Sequence, residues 1–281
     1  MSIQIRPLLT QIEYRAFQRL EQEVWPNTQP MPNHVLLMAQ KNGGLVLGAF
    51  DVSPRESGER LIGLLFGFIG LTLEGKVKHC SHMVGVHPQH QNQRVGYRLK
   101  MAQREHVLAQ GIDLVTWTFD PLQSRNAYLN LRKLGAVCNT YLPNHYGEMQ
   151  DGLNVGVSSD RFQVDWHIAS QRVSDRLSGV STGDSLSALQ AKGVPIVNPY
   201  SPDQLPAVPS TVYSMESERL LIQTPADFQA IRSADITLAC AWREHTRALF
   251  ETAFAAGYIA VDLLHEQGCS HYLLQTDWEP S

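Results

Sequence analysis

Apolar positions recur at spacing two in some stretches and at spacing three to four in others, and this alternation predicts a chain of mixed strands and helices. Ile3–Arg6 alternates as a short strand. Thr10, with Glu13 three residues on, forms a capping box and predicts a helix to about Val24 that buries Ile12, Phe17, Leu20 and Val24. Pro26–Pro32 interrupts the pattern, and a shorter helix follows from Asn33 to about Gln40. Three strands come next, Leu45–Phe50, Leu61–Thr72 and Val77–Val86, joined by the turn Asn42-Gly43-Gly44, the polar loop Ser53–Arg60 and the turn Glu74-Gly75-Lys76.

Val95–Gln110 has the helical period at Val95, Leu99, Ala102 and Leu108, and Gly111 stops it. Leu114–Phe119 is apolar enough to be a strand buried on both faces. Ser124–Leu134 predicts another helix, ended by Gly135, followed by strands near Val137–Tyr141 and Phe162–His167. Residues 170–210 are rich in Ser, Gly and Pro (Pro195, Pro199, Pro202, Pro206 and Pro209) and predict an extended connection. Beyond it, strand Glu218–Thr224, helices Pro225–Arg232 and Asp235–Ala256, and strands Tyr258–Leu264 and His271–Gln275 make a second, smaller unit. Ser124-Arg125 precedes Gly135 by the same distance as Thr246-Arg247 precedes Gly257, an echo that permits the last unit to be a degenerate half-copy of the first. The expected organisation is therefore a domain over 1–168, a Pro/Ser-rich connection over 169–212 and a C-terminal α/β unit over 213–281.

The bulk chemistry narrows the function classes. The 281 residues are 43% hydrophobic and 18% charged, those of an ordinary globular chain able to bury a core. With 23 basic against 27 acidic residues, a net of −4, and no basic run, a nucleic-acid partner is not expected. Leu61–Leu73 is the most apolar region and is too short to span a bilayer, so no membrane partner is expected. Cys80, Cys138, Cys240 and Cys269 form no C-x-x-C pair, and the N-terminus has no apolar leader, which points to a reducing cytoplasm. His79/His82 and His87/His90 are spaced like metal-ligand pairs, but no nearby cysteine or carboxylate completes either one, so no metal is expected.

The candidate chemistry sits in Val84-Gly85-Val86-His87-Pro88-Gln89-His90-Gln91-Asn92-Gln93-Arg94-Val95-Gly96-Tyr97. A strand ends at Val86, Pro88 forbids its continuation, and Gly96 falls in the first turn of a helix whose leading amides lack intrahelical acceptors. Those amides and the helix dipole suit a diphosphate, Gly96 lets it approach the backbone, and Arg94 and Arg98 can add charge at the rim. No G-x-G-x-x-G follows the first strand and no G-x-x-x-x-G-K-[S/T] occurs, which excludes the commoner nucleotide loops.

Gln91-Asn92-Gln93-Arg94-Val95-Gly96 resembles the coenzyme A motif (Q/R)-x-x-G-x-(G/A) of the GNAT superfamily of N-acetyltransferases, matching at Gln91 and Gly96 and departing at Arg94. Asn126 matches an asparagine that commonly lies beside the coenzyme in that family, and Leu134-Gly135-Ala136 resembles the family's Leu-Gly-Phe ending. The resemblance covers roughly residues 1–168, and the chain also looks like predicted GNAT proteins that carry a C-terminal extension. It implies an α/β (α+β) fold with a mixed, mostly antiparallel central sheet flanked by helices. It implies acetyl-CoA, or another acyl-CoA, as co-substrate, held by the turn Gln91, Asn92, Gln93, Arg94, Val95, Gly96 and Tyr97 and by the backbone of Met83, Val84 and Val86. The pantetheine arm would lie between splayed strands ending near Val86 and Phe119, and a backbone N–H near Val86 would polarise the thioester carbonyl.

The same resemblance places the family's usual acid, a tyrosine, at Leu131, so Tyr128, Tyr141 and Tyr146 are the substitutes by neighbourhood. His82, Glu148 and His145 are candidate bases. Glu21 and Glu23, near the loop to Asn33, could hold a cationic acceptor. Arg243 and Arg247 share a helix face and read either as an anion site or as a face paired with Glu244 and Glu251. The expectation is acyl transfer to an amine of a small-molecule acceptor, with a non-catalytic acyl-CoA-binding or ligand-sensing protein as the alternative. Oligomeric state is left open, a homodimer included.

Overall fold

The computed structural model describes residues 2–53, 58–149, 152, 154–180, 183–201, 207–266 and 268–279. Residues 54–57 of the expected polar loop, Gln150 and Asp151 of the loop after β6, and Pro202 and Pro206 of the expected connection lie outside them. The chain forms two compact units: 1–117 with 150–152, and 118–149 with 153–281.

The first unit begins with β1 (Ile3–Pro7), α1 (Gln11–Val24) and α2 (Asn33–Lys41). The capping box forms as expected: Thr10 Oγ1 accepts the Glu13 amide at 3.2 Å, and Glu13 Oε2 accepts the Thr10 amide at 2.9 Å. The buried face of α1 is Tyr14, Phe17, Leu20 and Glu21, whereas Ile12 is 76% exposed. The expected stripe was rotated by its first member, because Ile12 lies in the opening turn, outside the face that Tyr14 and Phe17 press on the sheet.

The meander β2 (Leu45–Asp51), β3 (Arg60–Leu71) and β4 (Val77–Val86) is antiparallel, and β1 pairs with β2. β2 is buried on both faces. Val46 and Phe50 join Phe17, Leu20 and Leu36 beneath α1 and α2, while Leu45, Leu47 and Ala49 join Val95 and Leu99 of α3 (Val95–Ala109). This is the period-two alternation of a strand sandwiched between helices. Gly111 follows α3 at φ +73°, a left-handed stop. β5 (Leu114–Phe119) pairs with β4 in parallel at only two positions, His79↔Val115 and Cys80↔Thr116.

The second unit carries β6 (Val137–Leu142), β7 (Arg161–His167), β8 (Arg219–Pro225), β9 (Ile259–Glu266) and β10 (Cys269–Gln275) in the order β7-β6-β9-β10-β8, with the β6–β7, β6–β9, β9–β10 and β10–β8 pairings antiparallel. The mixed, mostly antiparallel class that the resemblance implies is what the two units have. Expected helix Ser124–Leu134 divides into α4 (Ser124–Ala127) and a wider π-type stretch, Tyr128–Lys133, in which the Leu134 amide reaches back five residues to Leu129 O at 2.9 Å. The expected extended connection contains α5 (Gln171–Ser178) and α6 (Leu186–Ala191), with Val173, Leu186 and Leu189 buried. Ser170 and Ser185 cap these helices, so the serines that suggested a linker act as helix starts. α7 (Phe228–Ala234) and α8 (Ile236–Ala255) complete the unit, α8 capped by Asp235.

Candidate functional site

In the first unit, β4 and β5 part company after Cys80 and Thr116, and β4 runs on through Ser81 to Val86 without a β5 partner. The open edge is defined by the antiparallel register on its other side. The His87 amide donates to Ile62 O at 3.0 Å, and Gly85 and Met83 sit opposite Leu64 and Phe66. Alternation then turns the N–H and C=O groups of Gly85 and Met83 toward β3 and those of Val84 and Val86 toward the vacated edge. Gly85 has no room for a side chain, since an added Cβ would lie 2.8 Å from Trp25 Cη2.

The β3–β4 register jumps from Phe66↔Met83 to Gly67↔Ser81, so His82 is the extra residue of a β-bulge. The bulge turns its ring outward. The ring is exposed yet flanked by Phe66 and Phe68, with centroids at 5.7 and 6.1 Å, and loss of water on that side lowers its pKa below the ordinary histidine value. His82 is therefore neutral near pH 7, the state a base requires.

At the fork where β4 and β5 separate lies a group that the sequence pattern did not single out. Lys100, buried in α3, donates from Nζ to Ser81 Oγ at 2.8 Å and Gln103 Oε1 at 3.2 Å, and sits 3.6 Å from the Trp117 ring centroid. Burial pulls its pKa well below the ordinary lysine value. The legible signal was its position: Lys100 and Gln103 share the buried helix face with Val107 at spacing three and four.

Past Val86 the chain makes a short 3₁₀ turn, Pro88–His90, then Gln91–Arg94, before α3. Asn92 and Arg94 both adopt left-handed backbone, φ +63° and +60°. Arg94 stands where the family motif has glycine, and its conformation supplies the reason for a glycine there. A left-handed residue followed by helical Val95 turns successive amides to one side, an anion-binding nest. Among the described residues, no amide from Asn92 to Tyr97 has a hydrogen-bond acceptor. Gly96 has ordinary backbone, and an added Cβ would meet only Val86 Cγ2, at 3.7 Å. Gln91 Nε2 and Gln93 Nε2 make only long contacts, both 3.5 Å, to Val86 O and Gln89 O. The Arg94 side chain is exposed at this rim. Arg98 is not a rim charge of the same kind, because its Nη2 donates to Ile3 O at 2.7 Å.

Glu21 is buried and accepts the Met31 amide on both oxygens, at 3.1 and 2.9 Å, so it fastens the α1–α2 loop rather than offering an open carboxylate. Glu23 approaches His87 Nε2 at 3.4 Å, and Arg60 Nη2 lies 3.2 Å from the same nitrogen.

The remaining candidates belong to the second unit. Tyr141 donates its hydroxyl to Asp160 Oδ2 at 2.7 Å and is packed on Phe162 and Phe250; burial first, then the Asp160 charge, raises its pKa. Tyr146 is half exposed, its hydroxyl 2.7 Å from Thr118 Oγ1 and its ring against His145. Glu148 and Asn126 are exposed. Leu131, at the family's tyrosine position, is fully buried. Arg243 makes a buried two-pronged pair with Asp120, 2.7 Å on each arm, and Arg247 binds Asp160 and Ser158 at 2.8–3.0 Å. Their partners come from residues 87 to 123 positions away, not from Glu244 and Glu251, and neither guanidinium is left for an anionic acceptor. Among the described residues there is no cluster of three or more His, Cys, Asp or Glu suited to a metal, and no helix long and apolar enough to cross a membrane.

Neither a protein-family model nor a curated protein matches the sequence. Solved structures do resemble it. A NatC complex bound to Gag peptide and CoA is 14% identical, with a TM-score of 0.48 over 59% of this chain and 99% of that one. Arabidopsis thaliana NAA60 in complex with acetyl-CoA is 13% identical, with a TM-score of 0.47 over 59% and 99%. An N-acetyltransferase from Staphylococcus aureus is 12% identical, with a TM-score of 0.46 over 60% and 99%. At these scores the functional reading rests on the chain's own residues. Strand, two helices, three-stranded meander, turn-opened helix and a splaying parallel strand follow the order that the GNAT resemblance implies.

Proposed function

We propose that the chain binds an acyl-coenzyme A, acetyl or another short acyl, and transfers the acyl group to an amine of a small-molecule acceptor. The observation that carries the proposal is the run of unpaired amides from Asn92 to Tyr97, standing directly beyond the open β4 edge. Of the residues in this run Val95 is buried and Gly96 and Tyr97 are half-buried, where amides without acceptors are costly, and a diphosphate would satisfy them while using the helix dipole. Gly96 fits the same purpose, since nothing in the fold requires a glycine there.

In this reading the phosphates rest on the 92–97 amides, with Arg94 adding charge. The peptide groups of Val84 and Val86 pair with the pantetheine amides as a missing strand would, which holds the arm straight along β4. A β4 amide near Val86 polarises the thioester carbonyl. His82, neutral and projected by the bulge, takes the proton from the attacking amine. The four free cysteines, Cys80, Cys138, Cys240 and Cys269, suit a reducing compartment, and the cytoplasm is the compartment proposed.

Two observations favour a second reading, an acyl-CoA sensor without turnover. Leu131 is buried where the family's acid stands, and the Tyr141 hydroxyl is committed to Asp160. Calorimetry with acetyl-CoA, followed by thiol release against a panel of amines and amino acids, separates them. Binding with amine-dependent thiol release is expected; binding without it across the panel selects the sensor, and no binding at millimolar acetyl-CoA rejects both.

A further inference from the structure

We propose that the Ser81–Lys100 pair supplies the proton that the departing coenzyme A thiolate takes up. This rests on the acyltransferase reading and addresses what that reading lacks, an acid in place of the absent tyrosine. Ser81 and Trp117 are the first residues of β4 and β5 beyond their last paired positions, Cys80 and Thr116. Lys100 Nζ bridges them, 2.8 Å from Ser81 Oγ and 3.6 Å from the Trp117 centroid, and so forms the floor of the fork.

An arm suspended from the 92–97 amides enters the fork at Val86. From there to Ser81 is about 16 Å of strand at about 3.3 Å per residue, comparable with an extended pantetheine arm. The sulfur therefore ends at the floor, beside the bulge that projects His82. As the amine's C–N bond forms, the thioester C–S bond breaks. Sulfur takes the Ser81 hydroxyl proton, Ser81 takes one from Lys100, and Lys100 recovers the proton that the attacking amine sheds through His82 and solvent. Acyl-CoA and amine become amide and free thiol with no net proton change. Ser81 is the group that touches the sulfur; Lys100 positions it and holds its proton.

His79 of β4 couples electrostatically to Lys100, and His106 couples to His79; desolvation lowers both, His79 to about 4, so neither competes as a cation at neutral pH, while Arg104 lies one turn along α3 from Lys100 as a standing positive charge. Ser81, Gln103 and Trp117, which contact Nζ, are uncharged. Within the pair Lys100 is the ionisable member, and burial pulls its pKa well below the ordinary lysine value.

The test uses the full chain with hydroxylamine as a surrogate acceptor, which needs no acceptor recognition. Acetyl-CoA affinity is measured by calorimetry and thiol release is followed from pH 6 to 10. The wild-type rate is expected to exceed that of free acetyl-CoA and to fall on the alkaline side as Lys100 loses its proton. Lys100→Met, which replaces a buried amine with an apolar chain of similar length, keeps the affinity, slows release about 100-fold and removes the alkaline fall. Ser81→Ala gives the same two changes and decides the matter if Lys100→Met fails to fold. A folded variant that retains both rate and alkaline limb overturns the proposal, as does a wild type that binds acetyl-CoA without accelerating release. Absence of acetyl-CoA binding instead overturns the parent reading of the 92–97 turn.

Discussion

Replacing Gly96 with aspartate separates the demands of the fold from those of a ligand. The fold tolerates it. Gly96 has no left-handed φ, and its added Cβ would contact only Val86 Cγ2 at 3.7 Å. An acidic side chain in the first turn of α3 is favoured by the helix dipole by about 0.3–1 kcal/mol, and removing a helical glycine helps further. A bound diphosphate responds in the opposite sense. One carboxylate about 5 Å from two phosphate charges costs roughly 2–3 kcal/mol at effective dielectrics of about 40–80, or about 30- to 150-fold in affinity. Calorimetry with CoA and acetyl-CoA, beside thermal melts of both proteins, reads the two quantities separately. Gly96→Asp is expected to melt at the same temperature or higher and to bind far more weakly. A folded variant whose affinity stays within twofold of wild type would refute the phosphate placement.

Three further outcomes follow from the geometry. Asp120→Asn leaves the Arg243 guanidinium buried without its counter-charge and is expected to cost about 3–5 kcal/mol in urea unfolding; a loss under about 1 kcal/mol would show that the pair is not structural. In the proposed role of base His82 acts only when neutral, and its pKa is lowered, so amine-dependent thiol release should hold as pH falls to 6.5 and decline only below it; His82→Gln should lose that limb, and an unchanged profile would assign the base elsewhere. Burial raises the Glu13 pKa, but Arg6 and the Leu9 and Thr10 amides outweigh it and bring it to about 2, so its contribution to stability is complete above about 4.5 and is lost as pH falls toward 2. Glu13→Gln should flatten that part of the stability–pH curve, and identical curves would remove the capping box from the account.

The local code determined a great deal. Thr10 and Glu13, the glycine after α3, the period-two meander and the Pro88 break are each decided by neighbours within a few residues, and all stand where the pattern placed them. The turn Gln91–Tyr97 was legible because it too is local: a strand end, a proline and a helix start. Serine and proline density misled over 169–212, because Ser170 and Ser185 cap helices whose apolar faces are only two residues wide.

What tertiary structure alone decided is the pairing of groups far apart in the chain. Asp120 with Arg243, Asp160 with Arg247, and Ser81 with Lys100 are joined across 123, 87 and 19 residues, and no spacing rule encodes them. The bulge at His82 and the π-type stretch after α4 belong with them, since each is a one-residue slip in hydrogen bonding set by the packing around it. A sequence writes which residues prefer water and which backbone turns are cheap. Which buried charge meets which, and where two strands cease to pair, depends on distances that exist only once the sheet has closed.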